Sequence, residues 1–126
     1  MNLKDYFESK KGLGVLSTAD SSGKVNSAIY SRPHVMSDRE IAFIMADRKS
    51  HDNIQSNPHA AYLFKEEGDK YTGKRLLLTR IKEVEDKGII DSLRRRDYTD
   101  HHSEDKKRYL VYFEVDEILP LVGSVK

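Results

Sequence analysis

The sequence predicts a mainly β fold, a small antiparallel barrel with short helices packed on its outside. Six segments have the pattern of strands and three have the pattern of short helices. They do not alternate as in a doubly wound parallel sheet, and several strands are separated by connections of hairpin length. We expect one domain, spanning residues 1–126. The predicted elements are helix 2–10, strands 12–19, 25–32 and 41–46, helix 50–56, strands 60–64 and 75–84, helix 86–95 and strand 108–115.

The first elements are a helix and a hairpin. Leu3, Tyr6 and Phe7 fall on one helical face, which is typical of a short amphipathic helix. The two strands that follow are rich in apolar and β-branched residues and are joined by turn residues at positions 20–23. Pro33 has no backbone N–H, so sheet pairing must stop or bulge where the second strand ends.

The middle of the chain contains two apolar strands around a short helix. Residues 41–46 are apolar without interruption, which predicts a strand that is covered on both faces, and a turn at residues 37–39 precedes it. The helix after it is too short to be stable alone and is ended by Asn57 and Pro58. Residues 60–64 are predicted to be another buried strand.

The last elements are two strands around a third helix. A charged loop at residues 66–70 precedes a long strand that carries apolar side chains on both sides. Ile89, Ile90 and Leu93 recur at helical spacing in the third helix. Residues 97–107 are polar, and the final strand follows them.

The composition excludes several classes of function. There are 22 Lys and Arg against 21 Asp and Glu, so the net charge of +1 gives no basic excess for nucleic acid. Without cysteine the chain has no disulfide, no thiolate metal site and no cysteine nucleophile. The first residues lack an apolar signal core and there is no run of 18 apolar residues, so we expect a cytoplasmic protein that does not enter a membrane.

Three motifs suggest chemistry that their context does not support. Residues 68–74 match the start of a nucleotide P-loop, but Arg75 replaces the magnesium-binding Ser or Thr, and a strand follows where a helix is required. Residues 12–14 lack the third glycine of a dinucleotide fingerprint. His101 and His102 lie among acidic residues but have no ligand spacing, which favours a solvated turn over a metal site. We predict no metal site.

Two segments remain candidates for a binding site. Arg48, Lys49 and Ser50 come directly after a buried strand, at the start of a helix, where free N–H groups and the helix dipole attract an anion. Such starts are also common as ordinary capped helices with solvated basic residues. His34 follows Pro33 where a strand breaks, which is compatible with a surface histidine at a bulge or with a polar group facing a ligand ring.

Taken together, three segments resemble the flavin-binding split-barrel family typified by pyridoxamine 5'-phosphate oxidase, especially its small single-domain branch. In order, a strand ends in a basic residue and Pro, an apolar strand follows, and then come Lys-Ser, an Asn three residues later and Asn-Pro before the next strand. The resemblance extends from residue 12 to about residue 122. The segments are VNSAIYSRPHV at 25–35, IAFIMADRKSHDNIQSNPHAAYLF at 41–64 and YTGKRLLLTRIKEV at 71–84.

The resemblance implies a six-stranded antiparallel split β-barrel of Greek-key type with short flanking helices, and FMN as the cofactor. It places the FMN phosphate at Lys49 and Ser50, with Arg48 next to them, and makes Asn53 a polar contact. The residues themselves offer Arg48 or Arg32 as a fork for phosphate oxygens. The isoalloxazine ring would lie along one strand end and against the next strand. The implied ring-side residues are Ser31, Arg32, Pro33, His34, Met45, Ala46 and Asp47.

The same resemblance implies a homodimer with flavin near the subunit interface. Residues 119–122 are apolar, which is compatible with a place in that interface. The expected function is an FMN-binding oxidoreductase or electron carrier, with NAD(P)H or a redox protein as its electron partner. No general acid or base stands out, and the residues that bind the vitamin phosphate in the oxidase have no match, so the substrate is not assigned. The alternatives are a flavin-free binding or interaction module on the same barrel and a nucleic-acid-binding barrel that uses residues 94–96.

Overall fold

A computed structural model of the chain describes residues 2–93 and 107–123. The third helix is present within the predicted range, whereas Arg94–Arg96 and His101–His102, which had been weighed as nucleic-acid or metal contacts, lie outside the described residues. The elements are α1 Leu3–Ser9, β1 Gly12–Ala19, β2 Val25–Ile29, β3 His34–Ser37, β4 Glu40–Ala46, α2 Lys49–Ser56, β5 His59–Glu66, β6 Gly73–Val84, α3 Lys87–Leu93 and β7 Arg108–Pro120.

All described strands belong to one sheet, in the order β2-β1-β5-β6-β7-β4-β3, and every neighbouring pair is antiparallel. The predicted mainly β, antiparallel architecture with short helices is therefore confirmed. The predicted number of six strands is wrong, because the described residues contain seven. None of the helices in these two ranges is long and apolar enough to cross a membrane.

The additional strand is β3. Its first residue had been predicted to lie at a strand break, and its last residue had been predicted to belong to a turn. The strand predicted at residues 25–32 is shorter in the structure, because the pairing of β2 ends at Ile29, four positions before Pro33. The chain then re-enters the sheet at its other edge, where His34 pairs with Ala42. β3 has only four residues and none is fully buried, so its sequence carries little apolar alternation.

The core explains the apolar run in β4. Phe43 and Met45 point into the main cluster with aromatic residues of β5 and β7, while Ala42 points to the opposite face and packs with Ile90 of α3 and Leu110 of β7. The prediction that this strand is covered on both faces is confirmed. Helix α3 therefore covers the outer side of the β3-β4-β7 portion of the sheet.

The opposite portion of the sheet has no helix on its outer side among the described residues. Val15 pairs with Ile29 on one side and with Leu63 on the other, and all three side chains point outward with Leu13. Ile29 is 67% exposed and Leu63 is 39% exposed. We call Leu13, Val15, Ile29 and Leu63 the outer apolar face.

A buried tyrosine fixes the point where β2 leaves the sheet. The Tyr62 hydroxyl lies 3.1 Å from the carbonyl oxygens of Tyr30 and Ser31, to which it donates. This contact needs space beside β1, and Gly14 provides it, because an added Cβ there would overlap the Tyr62 hydroxyl and approach the Tyr30 carbonyl oxygen at 2.5 Å.

We expect Gly14→Ala to lower the free energy of unfolding by about 1–3 kcal/mol, because overpacking must displace Tyr62 or the chain at Tyr30. Gly88→Ala is the matched control. Its Cβ would meet only the Asp86 carboxylate at 3.3 Å, and Ala is the better helix former, so its stability should stay within about 1 kcal/mol of wild type. Urea denaturation of both variants measures this, and equal stabilities would contradict the role of Gly14.

Candidate functional site

The candidate site begins where β4 ends and α2 starts. Arg48 is the N-cap residue, with extended backbone at φ −136° and ψ −167°, and makes no side-chain capping hydrogen bond. The first N–H groups of a helix have no partner within the helix, so this terminus presents donors and the positive end of the dipole. The sequence prediction of a helix start at this point is confirmed.

Two polar residues of α2 are buried against the sheet. Asn53 is 1% exposed and donates from Nδ2 to Thr18 Oγ1 of β1 at 3.1 Å. Ser50 is 3% exposed and accepts from Asn26 Nδ2 of β2 at 3.3 Å. Both were predicted to contact a cofactor. The structure places them beneath the helix start, where they hold α2 on β1 and β2.

The phenol of Tyr30 and the guanidinium groups of two arginines lie near Ser50. The Tyr30 hydroxyl shares a hydrogen bond with the Ser50 side chain. Burial raises the pKa of Tyr30, although the Ser50 hydrogen bond and the nearby charges of Arg48 and Arg108 act in the opposite direction. The phenol is therefore protonated at neutral pH, and both arginines lie close enough to interact with it. We call Asn26, Tyr30, Arg48, Lys49, Ser50 and Arg108 the anion cradle.

The chemistry of the cradle fits a phosphate group. Arg48 and Lys49 are exposed beside the free N–H groups of α2, and Arg108 is partly buried next to them in the sheet, where it pairs with Ala46. Guanidinium groups offer several donors to phosphate oxygens, and a lysine adds a point charge. Two carboxylates lie near these cations: the charge of Lys49 contributes to lowering the pKa of Asp20, and the exposed Asp47 directly precedes Arg48.

The predicted ring-side residues divide into three groups. Ser31 is exposed and Arg32 is partly buried, with Nη1 donating at 2.8 Å to the carbonyl oxygens of Phe7 and Lys10 at the end of α1. This use of Arg32 makes Arg48 the better supported phosphate fork. Pro33 and His34 line a groove of about 480 Å³ between α1, β3 and α3, together with Lys4, Phe7, Glu8, Arg32, Val35, Met36 and Leu93.

The remaining three predicted residues lie at the end of β4. Met45 is fully buried in the core, so its side chain supports the site from within. Ala46 is partly buried, and Asp47 is exposed directly before the cradle. The structure thus brings Asp47, Arg48 and Lys49 together at the surface, while the groove is a separate surface between α1, β3 and α3.

The predicted site residues did not include Asn26, Tyr30 or Arg108. A signal for the first two was present, because the alternation of β2 places Asn26 and Tyr30 on one face. No comparable signal existed for Arg108, since its position depends on the pairing of β7 with β4 across more than 60 residues of sequence.

Comparison with solved structures shows the fold. An FMN-binding protein from Syntrophomonas wolfei has a TM-score of 0.78 at 19% identity, covering 97% of this chain and 85% of its own. A protein related to general stress protein 26, of the pyridoxinephosphate oxidase family, from Clostridium acetobutylicum has a TM-score of 0.62 at 11% identity, covering 96% and 91%. An F420 reductase has a TM-score of 0.67 at 16% identity, covering 90% and 94%.

These likenesses confirm the resemblance to the FMN-binding, pyridoxamine 5'-phosphate oxidase-like group at the level of the fold. No protein-family model matches the chain, and a search of curated protein sequences finds no match.

We expect the Tyr30–Ser50 hydrogen bond to be measurable in a double-mutant cycle. Tyr30→Phe and Ser50→Ala should each lower the free energy of unfolding by about 0.5–1.5 kcal/mol, and their effects should be less than additive in the double variant. Tyr71→Phe is the control, because Tyr71 is 77% exposed, lies in the loop between β5 and β6 and is not part of the cradle. Its effect on the free energy of unfolding should stay below about 0.5 kcal/mol. Strict additivity in the cycle would contradict the contact.

Proposed function

We propose that this protein binds FMN and acts as a flavin-dependent oxidoreductase or electron carrier. The observation that carries the proposal is the anion cradle, in which the charges of Arg48 and Arg108 act on Tyr30, which is hydrogen-bonded to Ser50 at the start of α2. The resemblance assigns the FMN phosphate to this helix start, where Lys49 is exposed. The likeness to a solved FMN-binding protein over almost the whole chain supports it.

The distance between the two halves of the proposed site suits a phosphorylated flavin. Tyr30 belongs to the cradle and His34, four positions later, lines the groove, so their backbones are at most about 14 Å apart. Lys49, Arg48 and Arg108 would hold the phosphate, and Ser31, Pro33 and His34 would lie along the ring. The flavin, when bound, supplies the electron transfer, while the chain positions it and excludes water.

We also propose that the sheet curls into a split barrel of the Greek-key type. The strands β2 and β4 are far apart in the sheet order, yet the rings of Tyr30, just after β2, and Phe43 of β4 have centroids only 5.6 Å apart. Leu16, Tyr62 and Phe113 of three other strands join the same core cluster. A flat sheet would not bring these side chains together.

We further propose a homodimer formed through the outer apolar face. This face lies on the portion of the sheet that α3 leaves uncovered, and it is continuous across β2, β1 and β5. Contiguous exposed apolar surface marks interaction sites in soluble proteins. Ser17 and Ser27 extend the face with small side chains that hydrogen-bond to each other at 2.8 Å, so they present few unpaired polar groups to a partner. β2 carries both this face and part of the cradle, which would bring the flavin near the interface.

A flavin-free binding module on the same fold is the alternative function. It is favoured by the lack of an evident acid–base pair in the described part of the site. Absorbance separates the two hypotheses. The proposed flavoprotein is yellow as purified, or it stays yellow after it has been mixed with FMN and passed through a desalting column. A protein that stays colourless after this treatment supports the alternative.

Lys49→Ala is expected to weaken FMN binding about 10- to 150-fold, because it removes a charge-assisted contact of about 1.5–3 kcal/mol. Riboflavin, which lacks the phosphate, should bind equally to variant and wild type. Lys70→Ala is the matched control, since Lys70 is exposed in the loop that follows β5, whereas α2 precedes β5, a strand about 23 Å long. Fluorescence titration gives the affinities, and an unchanged FMN affinity in Lys49→Ala would exclude this lysine as a phosphate contact.

Ile29→Asp should convert a dimer to monomers, because it buries a carboxylate in the centre of the proposed apolar interface. Ile89→Asp introduces the same change at an exposed isoleucine of α3, outside the face, and should leave the dimer intact. Sedimentation velocity measures both. A wild-type monomer at all concentrations, or equal dissociation of the two variants, would overturn the proposed interface.

A further inference from the structure

The groove between α1, β3 and α3 combines apolar and charged side chains. The most buried residues of its lining, Phe7 and Pro33, are apolar, whereas the exposed ones, Lys4 and Glu8, are charged. Its volume of about 480 Å³ lies within the range of about 300–1,000 Å³ that is usual for small-molecule sites. The groove is therefore large enough for a small organic molecule that has both an apolar and a charged part.

Arg32 also lines the groove, and α1 holds its guanidinium group in place. Nη1 donates to the carbonyl oxygens of Phe7 and Lys10, both at 2.8 Å, so both of its protons are used. A side chain that is already held in this way loses little conformational freedom when a ligand arrives. The end of α1 thus preorganises one arginine at the wall of the groove.

The other edge of the same guanidinium group is available to a ligand. Within residues 2–93 and 107–123, Arg32 forms no hydrogen bond other than those to α1 and no ion pair. The N–H groups of Nε and Nη2 form a rigid fork, and such a fork matches the two oxygens of one carboxylate. Arg32 can therefore remain on α1 and bind a carboxylate at the same time.

The charges of the lining favour a ligand with a single negative charge. Lys4 and Arg32 are cations and Glu8 is the carboxylate of the lining, which leaves an excess of one positive charge when His34 is neutral. Lys4 and Glu8 are four residues apart on α1 and so share a face of the helix, but no ion pair joins them in the described part of the chain. Lys4 is free to act on an anion.

We propose that the groove binds a small organic carboxylate with an apolar body. The carboxylate accepts from Nε and Nη2 of Arg32, and Lys4 adds a second positive charge at the exposed side. The apolar body packs on Pro33, Val35 and Met36, which the groove leaves buried or partly buried. Neither Arg32 nor Lys4 belongs to the anion cradle, so this site is distinct from the one that would hold the FMN phosphate.

The site adjoins the proposed position of the flavin ring. Pro33 and His34 line the groove and are also the residues along which the ring would lie. A small carboxylate is therefore the class of molecule that would meet the ring, and this second step rests on the proposed function. Binding of the carboxylate itself does not depend on the flavin.

Benzoate is the probe, and benzamide, which has the same ring but no charge, is the matched neutral compound. NMR of the whole chain with isotope-labelled methionine methyl groups gives the readout, because the chain has only three methionines. Met36 lines the groove, whereas Met45 is fully buried in the core. Benzoate should shift the Met36 signal in a saturable way and leave the Met45 signal in place, and benzamide should bind about tenfold more weakly or less.

Substitutions on α1 and at Arg32 test the charges. Lys4→Ala should weaken benzoate binding about two- to fivefold, and Glu8→Gln should strengthen it by a similar factor. Arg32→Lys keeps the charge but loses the fork, and should weaken binding about tenfold. Lys11→Ala is the matched control, since Lys11 is exposed directly after α1 and does not line the groove, and benzoate affinity should be unchanged.

The two steps fail separately. Equal affinities for benzoate and benzamide, or one benzoate affinity shared by wild type, Lys4→Ala and Glu8→Gln, overturn the carboxylate site even if Arg32→Lys disturbs α1. FMN binding without benzoate binding overturns the inference and leaves the flavin site standing. In the FMN-loaded protein, benzoate beside the ring should perturb the flavin absorbance, and an unchanged spectrum with benzoate bound overturns the second step. Benzoate binding by a protein that does not take up FMN supports the carboxylate site and overturns the proposed function.

Discussion

The attachment of α2 to the sheet through buried polar side chains is the constraint on which the candidate site depends. Eight residues are too few for a helix to be stable alone, and the N-cap contributes no side-chain hydrogen bond. The helix is instead held by Ser50 on Asn26, His51 on Glu83 and Asn53 on Thr18, with the fully buried Ile54 beneath it. Because a buried polar group without a partner costs about 1–3 kcal/mol, loss of these contacts is unfavourable, and they stabilise this placement of the basic helix start.

Much of the fold was predictable because its elements carry local signals. The apolar run of β4, the Asn57–Pro58 end of α2 and the amphipathic face of α1 each gave an element of the correct type. The failure at β3 has a physical reason. Pro33 was expected to end the pairing of β2, which in the structure ends earlier, at Ile29. The four residues after Pro33 owe their strand conformation to β4, which supplies their hydrogen bonds. Such a strand is defined by its neighbour, and local patterning does not reveal it.

The candidate site was predictable only where it is contiguous in sequence. Arg48, Lys49 and Ser50 were identified from their position at a strand end, and the structure retains them at the helix start. Of their partners, Arg108 reaches the same place through the pairing of β7 with β4, which are far apart in sequence, and Tyr30 reaches it from the end of β2. Ser50 and Asn53 were also predicted to be ligand contacts. In the structure both side chains are buried, and their hydrogen bonds hold α2 on the sheet. Polar type and spacing alone do not distinguish a residue that contacts a ligand from one that positions its neighbours.

The position of β2 links the proposed dimer to the proposed cofactor site. As an edge strand it pairs only with β1 among the described strands, and edge strands are the least constrained part of a sheet. Its outward residues Val25 and Ile29 are 80% and 67% exposed, while its inward residue Asn26 contacts Ser50. A partner that covered the outer apolar face would hold β2 on the sheet and so fix Asn26 and Tyr30 before an anion arrives. Dimerisation and anion binding would then favour each other even without a partner residue in the cradle, since both select the same placement of one strand.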